Sequence, residues 1–341
     1  MSDKSVRYNW IDVFKSFSIF FILYAHLNVT HKLAAYVFSF MVHSFFFAGG
    51  LMASRNKHLS LADYVVKRFK QIMVPYFAYG IFAMLVILVA NAKHNPSVTN
   101  MLRQIVIGMR TDAFAVTLWF LPCIFILGIY YQVLLKIFKN KWLRFAVCIC
   151  ISFVFRLYSE GNMLPWGIDN AVRFLIYYAA GDFFSDMLNG FSEEPALLYR
   201  KKWPLLFIAA ALFLSFMLYR HGYTYFTDIA GIPSVYLVMV LLTCFYAFVG
   251  IFLFAVISIL LQNVKPLQAV GKASLVICCL QVPLDRFVYF VASLFSVNIP
   301  SDTQTECLLL AAVFTALGTV AAKFIKKYMP ATLGLFPART K

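Results

Sequence analysis

Asp12, Lys15 and His26 fall within the first long apolar stretch of the chain, residues 11–30. Asp12 and Lys15 are three residues apart. Lys15 and His26 are separated by eleven, which at about 100° per residue is three turns plus 20°, so all three share one stripe of a helix. Ionisable side chains inside an apolar span cost at least about 2.5 kcal/mol each, and they read first as functional groups, with bundle-stabilising pairs as the alternative. Imidazole titrates near neutrality and suits proton transfer at a hydroxyl or thiol. A Lys paired with an Asp can orient an anion or offset negative charge that develops in a reaction. His43 lies near the middle of the next apolar stretch, 34–53, and the short connection makes the two helices antiparallel neighbours. Both imidazoles are therefore expected to face one cavity, with His26 roughly 16 Å along the axis from Lys15. A lone histidine on an apolar face is ordinarily a core residue; two beside Lys15 point to chemistry.

The elements that must position these residues are set by composition. Of 341 residues, 62% are hydrophobic and only 13% charged, against about 25% charged in soluble domains. That excludes an ordinary soluble enzyme, a disordered chain, a collagen and a nucleic-acid-binding domain; the partner is a lipid bilayer. Breaks at Pro, Gly, Asn and charge clusters leave ten spans of about the length a helix needs to cross a bilayer. They are 11–30, 34–53, 72–91, 114–136, 142–158, 171–188, 203–220, 233–261, 274–296 and 306–325. Continuous apolar runs without alternation exclude a β-barrel.

The fold expected is an all-α polytopic membrane protein of about ten transmembrane helices with both termini cytoplasmic. The basic residues agree with that threading. Of 30 Lys and Arg, 21 fall in segments placed inside, seven (Lys32, Lys93, Arg103, Arg110, Arg156, Arg173 and Arg220) outside, and Lys15 and Arg286 within spans. Residues 1–341 are expected to form a single domain with a cytoplasmic tail from about 326 to 341 and no appended soluble domain. Because Asp12 and Lys15 interrupt the first apolar run, it reads as a retained span. The seven cysteines lie mostly inside apolar runs as buried hydrophobes. The six histidines show no ligand spacing with carboxylates or thiols, so no metal is expected.

Several motifs, taken in order, resemble the acyltransferase-3 family of ten-helix bacterial membrane proteins that O-acetylate cell-surface glycans. Lys15, ten residues and His26, preceded by Asp12, match its first span. His43 through Gly50, an aromatic run ending in small residues, matches the second, with Ala48 where Ser is usual. Lys67-Arg68-Phe69-Lys70 leading to Pro75-Tyr76 matches the start of the third, Trp119-Phe120-Leu121-Pro122 the fourth, and Gly271-Lys272-Ala273-Ser274-Leu275 the ninth. Two positions depart from the family. Its Arg-x-x-Arg element reads Arg68-Phe69-Lys70-Gln71, which lacks the second guanidinium and its bidentate fork, and Gln281 stands where His is frequent.

The resemblance implies an O-acyltransferase of the bacterial cytoplasmic (inner) membrane. It would move an acetyl group from acetyl-CoA to a hydroxyl of a surface polysaccharide (O-antigen, capsule or exopolysaccharide) or its lipid-linked precursor. On that reading His26 is the general base or a transient acyl carrier. Lys15 with Asp12 orients the donor or offsets oxyanion charge, and His43 assists. Arg68, Lys67 and Lys70 meet the phosphates of acetyl-CoA, although retention of positive charge inside accounts for much of that cluster as well.

On the acceptor side stand Trp119, Arg103, Asp285 and Arg286. The segment 99–110 places Leu102, Ile105, Val106 and Met109 on one face, as an interfacial helix would, with Arg103 and Arg110 on another. Trp119, Trp166, Tyr223 and Tyr225 read as interface anchors. Asp285 and Arg286 point about 100° apart and pair with neighbouring helices or line the same cavity. A transporter or flippase of a lipid-linked sugar and a structural subunit of a glycan-export complex are the rival readings. Neither an inverted repeat nor a matched pair of broken helices supports transport.

Overall fold

The computed structural model describes residues 7–90, 97–108, 117–158, 163–200, 233–296 and 303–336, with the isolated positions 209, 299 and 301. All the regular structure among them is helical, with no strand. The chain forms α1 (Asn9–Ala25), α2 (His31–Leu51), α3 (Leu61–Arg68), α4 (Val74–Ala90), α5 (Val98–Ile107), α6 (Phe120–Ile137) and α7 (Lys141–Tyr158). After these come α8 (Ile168–Arg173), α9 (Leu175–Glu193), α10 (Ala196–Arg200), α11 (Pro233–Leu260), α12 (Lys265–Leu294) and α13 (Gln304–Tyr328). The expected seventh span, 203–220, lies outside the described residues except for position 209.

Six of the described helices are long and apolar enough to cross a membrane: Leu33–Leu51, Leu61–Val89, Phe120–Ile137, Leu237–Leu260, Lys265–Leu294 and Gln304–Tyr328. The expected spans at 11–30, 142–158 and 171–188 are also helices, α1, α7 and α9, but each is shorter or more charged. Their charges are matched within the bundle. Asp12 of α1 holds Arg7 and Lys15, and Arg144 of α7 holds Asp182 of α9. Arg144, expected in a cytoplasmic loop, is instead buried at 6% exposure.

The third expected span begins earlier than its apolar run. Ser60 caps α3 by accepting from the Asp63 backbone N–H at 3.1 Å. The helix then runs through a π-turn at Phe69–Met73 into α4, so the basic cluster 67–70 is helical rather than a loop. Pro75 has no N–H and its ring crowds the carbonyl four residues back. The π-turn directly before it widens the backbone where that clash would fall.

The central element is α1, which packs against α2, α11, α12 and α13. Trp10, Val13, Phe14 and Ile19 are fully enclosed. Between helices in lipid the gain from such contacts is van der Waals packing, which rewards close approach and therefore small residues. At the α1–α12 crossing a β-carbon on Gly271 would overlap the Asp12 carbonyl oxygen. At the α2–α9 crossing Gly50 and Gly181 play the same part, against the carbonyls of Tyr178 and Phe47. Beside that second crossing a buried polar knot joins four elements. Tyr131 and Arg144 each donate to Asp182 Oδ2 at 2.7 Å. Ser54 donates to Asp182 Oδ1, and Arg144 Nη1 donates to the Phe138 carbonyl at 2.8 Å.

These crossings give a controlled prediction. Gly271→Ala should lower the melting temperature of the detergent-solubilised protein. Gly190→Ala, in α9 with open space around it, should leave it unchanged or raise stability by about 0.5–1 kcal/mol. Equal melting of the two variants would show that the α1–α12 approach tolerates a methyl group.

Candidate active site

A cavity of about 550 Å³ follows the stripe on α1 that the spacing defines. Arg7, Tyr8, Asp12, Lys15, Ile22 and His26 line one wall. Opposite stand Ala48 and Gly49 of α2 with Met52 and Arg55 just past its end; Thr117 and Trp119 come from the turn before α6 and Phe120 from its first residue, and Ser274, Leu275 and Cys278 from α12. From Arg7 to His26 is nineteen residues, about 28 Å at 1.5 Å per residue, close to the roughly 30 Å thickness of a bilayer core. The volume is in the range of small-molecule sites, about 300–1,000 Å³.

One end of the cavity is cationic. Asp12, buried at 4% exposure, accepts from Arg7 Nε at 3.0 Å and Nη2 at 2.7 Å on one oxygen and pairs with Lys15 Nζ at 2.9 Å on the other. Lys15 keeps 28% of its side chain exposed and lines the cavity.

At the other end stands His26, the C-cap of α1. Its Nδ1 is 2.7 Å from the Ile22 carbonyl oxygen. A carbonyl only accepts, so in the neutral ring Nδ1 carries the proton and Nε2 keeps its lone pair, the form a general base requires. Phe38 packs edge-on against the ring at 4.9 Å, which restrains its rotation.

The two imidazoles do not share the cavity. His43 is buried against Phe174 and Tyr177, with ring centroids 5.1 and 4.4 Å away, and it is absent from the cavity wall. The hairpin makes α1 and α2 neighbours, but rotation about the axis of α2 turns residue 43 toward α9. Trp119 does line the cavity, with its ring 6.3 Å from Phe174.

The basic cluster is also off the wall. Lys67 Nζ donates to Asn56 Oδ1 at 2.8 Å, Arg68 lies beside the Tyr64–Tyr178 pair, and Lys70 is exposed. Asp285 and Arg286 are outside the cavity; Arg286 instead borders an apolar groove of about 720 Å³ between α4, α12 and α13. Arg103 is on the exposed face of α5. In that helix Met101 and Ile105 are buried while Leu102 and Val106 are exposed, so its apolar surface is divided between α4 and the outside. Met109 and Arg110 lie outside the described residues, as do Tyr223 and Tyr225. Trp166 satisfies the end of α5, donating from Nε1 to the Val106 carbonyl at 2.8 Å.

Arg7, Arg55 and Thr117 are cavity residues that the sequence did not single out, and Ser274 stood there only as part of the motif opening the ninth span. Arg7 and Arg55 are indistinguishable there from retention charges. The one available signal is the hairpin itself, which returns the end of α2 to the start of α1.

No curated protein and no solved structure is significantly similar to the chain. A family model described as an acyltransferase domain matches residues 8–325, nearly its whole length. The match takes in the helix carrying Asp12, Lys15 and His26, every cavity-lining residue except Arg7, and the glycine crossing at Gly271, and the chain belongs to the acyltransferase-3 family, a family of membrane acyltransferases.

Proposed function

We propose that the protein moves an acyl group, acetyl on the strength of the family resemblance, from acetyl-CoA to a hydroxyl of a cell-surface polysaccharide or its lipid-linked precursor. On this reading it crosses the bacterial cytoplasmic membrane ten times with both termini inside. The observation that carries the proposal is the cavity: Lys15 with Asp12 at one end and His26 with an available Nε2 at the other, on one face of one helix.

The residues fit the donor. A polyanion is drawn to the end that carries Arg7, Lys15 and Arg55 against the single carboxylate of Asp12. Lys67, Arg68 and Lys70 add to that field from outside the wall. A thioester at the end of the long pantetheine arm can then lie toward His26. His26 Nε2 takes the proton of the acceptor hydroxyl as its oxygen bonds the acyl carbon. The carbon–sulfur bond breaks, and the proton passes from His26 to the departing sulfur. Trp119 offers a flat apolar face to a sugar ring in the same space. His43, Arg103, Asp285 and Arg286 have no part in this step.

Proton NMR of surface polysaccharide tests the proposal. An O-acetyl signal should be present with the intact gene, absent without it, and absent with His26→Ala inserted at normal level. Unchanged acetylation in all three, with less polysaccharide made, would point to transport of a lipid-linked sugar instead. The cationic end makes a separate prediction. Asp12→Asn leaves Arg7 and Lys15 facing each other without a shared anion, whereas Lys15→Met keeps the Arg7–Asp12 pair. In thermal melts Asp12→Asn should lose more stability than Lys15→Met, and the reverse order would remove Asp12 as the keystone of this end.

A further inference from the structure

The turn that follows α2 is held more firmly than a surface turn requires. Ala53–Asn56 forms a single 3₁₀ turn, and three helices grip it and the residues after it. Ser54 donates to Asp182 of α9. Gln132 Nε2 of α6 donates to the Asn56 carbonyl at 3.1 Å, and Lys67 Nζ of α3 donates to Asn56 Oδ1 at 2.8 Å. Lys136 Nζ of α6 donates to the Leu59 carbonyl at 2.9 Å. Asp182 is itself fixed by Arg144 and Tyr131, so Ser54 is tied to a buried carboxylate held by two further donors.

From this turn only Arg55 lines the cavity. Its guanidinium lies over the Tyr8 ring, 5.8 Å from the centroid, and the Tyr8 hydroxyl donates to Glu193 Oε1 at 3.1 Å. Arg7 stands on the facing wall with 62% of its side chain exposed at the mouth. Among the charged residues that line the cavity, Arg7, Lys15 and Arg55 are basic and Asp12 is acidic. A guanidinium on each wall suits phosphate groups, which Arg binds through charge-assisted N–H donors; Arg7 has Nε and Nη2 on Asp12 and offers its outer nitrogen and its charge.

We infer that Arg7 and Arg55 form the binding site for the phosphate groups of the acyl donor, and that Ser54, through Asp182, is the positioning residue that sets Arg55 there. The inference rests on the acyl-CoA reading above and locates the nucleotide end of the donor at the cavity mouth rather than on the Lys67–Lys70 cluster.

Equilibrium binding of radiolabelled CoA to the purified full-length protein in detergent tests it, with thermal melts of each variant as a check on folding. Wild type should bind CoA. Arg55→Ala should raise the dissociation constant about tenfold, as expected for loss of a charge-assisted contact, without lowering the melting temperature. Ser54→Ala should raise it by a smaller factor and Ser54→Thr, which keeps the hydroxyl, should restore it. In the Arg55→Ala background Ser54→Ala should add nothing, because Ser54 acts through Arg55. Wild-type binding with an unchanged constant in Arg55→Ala would overturn the inference and leave the acyl-CoA reading standing. A Ser54→Ala effect that persists without Arg55 would overturn the positioning role. Failure of wild type itself to bind CoA would bring down the acyl-CoA reading, and the phosphate site with it.

Discussion

The arrangement depends on one carboxylate shared by two cations. Asp12 is almost fully buried, and its two oxygens are divided between Arg7 and Lys15. A helix with an ammonium in its second turn is poorly suited to face lipid, where an unpaired charge costs at least about 2.5 kcal/mol. Turning the charged stripe toward a cavity and giving it an internal counter-ion removes that cost. It also lets the same helix sit at the centre of the bundle with apolar residues on its other faces. The Gly271 crossing follows from this, since α12 closes on the backbone of the residue whose side chain holds the charges.

The stripe on α1 was legible because charge stands out against an apolar background and because eleven residues return a helix almost to the same angle. That arithmetic survives in the cavity wall. The position of His43 was not legible in the same way. A short hairpin dictates which helices are neighbours and leaves free the rotation of the second about its own axis, and here that rotation carries His43 to Phe174 and Tyr177. Arg7, Arg55 and Arg144 failed for a different reason. Charges that retain a loop inside, line a cavity or pair in a core are identical as letters, and only the packing separates Arg144, buried on Asp182, from Lys139 three positions beyond Lys136. The boundary of α3 and α4 was obscured by local signals that tertiary context overrides: the basic cluster and Pro75 both read as interruptions, yet a π-turn lets the helix pass through them.

Helix α12 shows how little thickness separates the two environments this protein needs. Ser274, Leu275 and Cys278 face the cavity, while Leu280, Leu284 and Phe287 face the apolar groove shared with α4 and α13. Polar chemistry and lipid are thus divided by one helix, and its register decides which residues can meet substrate. That is why Asp285 and Arg286, attractive as intramembrane charges, fall outside the site: the cavity-facing stripe ends before them.

The length of α1 sets the state of its terminal imidazole. Its 17 residues span about 26 Å, short of a full bilayer core. A longer helix would place residue 26 in its interior, with its carbonyl bonded and its ring fixed by neighbouring turns. Ending at His26 instead leaves the imidazole as the cap. Backbone N–H and ring Nδ1 both turn to the Ile22 carbonyl, at 3.2 and 2.7 Å, which leaves Nε2 as the nitrogen that keeps its lone pair in the neutral ring. The tautomer is therefore set by where the helix stops, within the same element that carries Asp12 and Lys15 nearer its other end, so α1 alone fixes the separation of the imidazole from that ion pair.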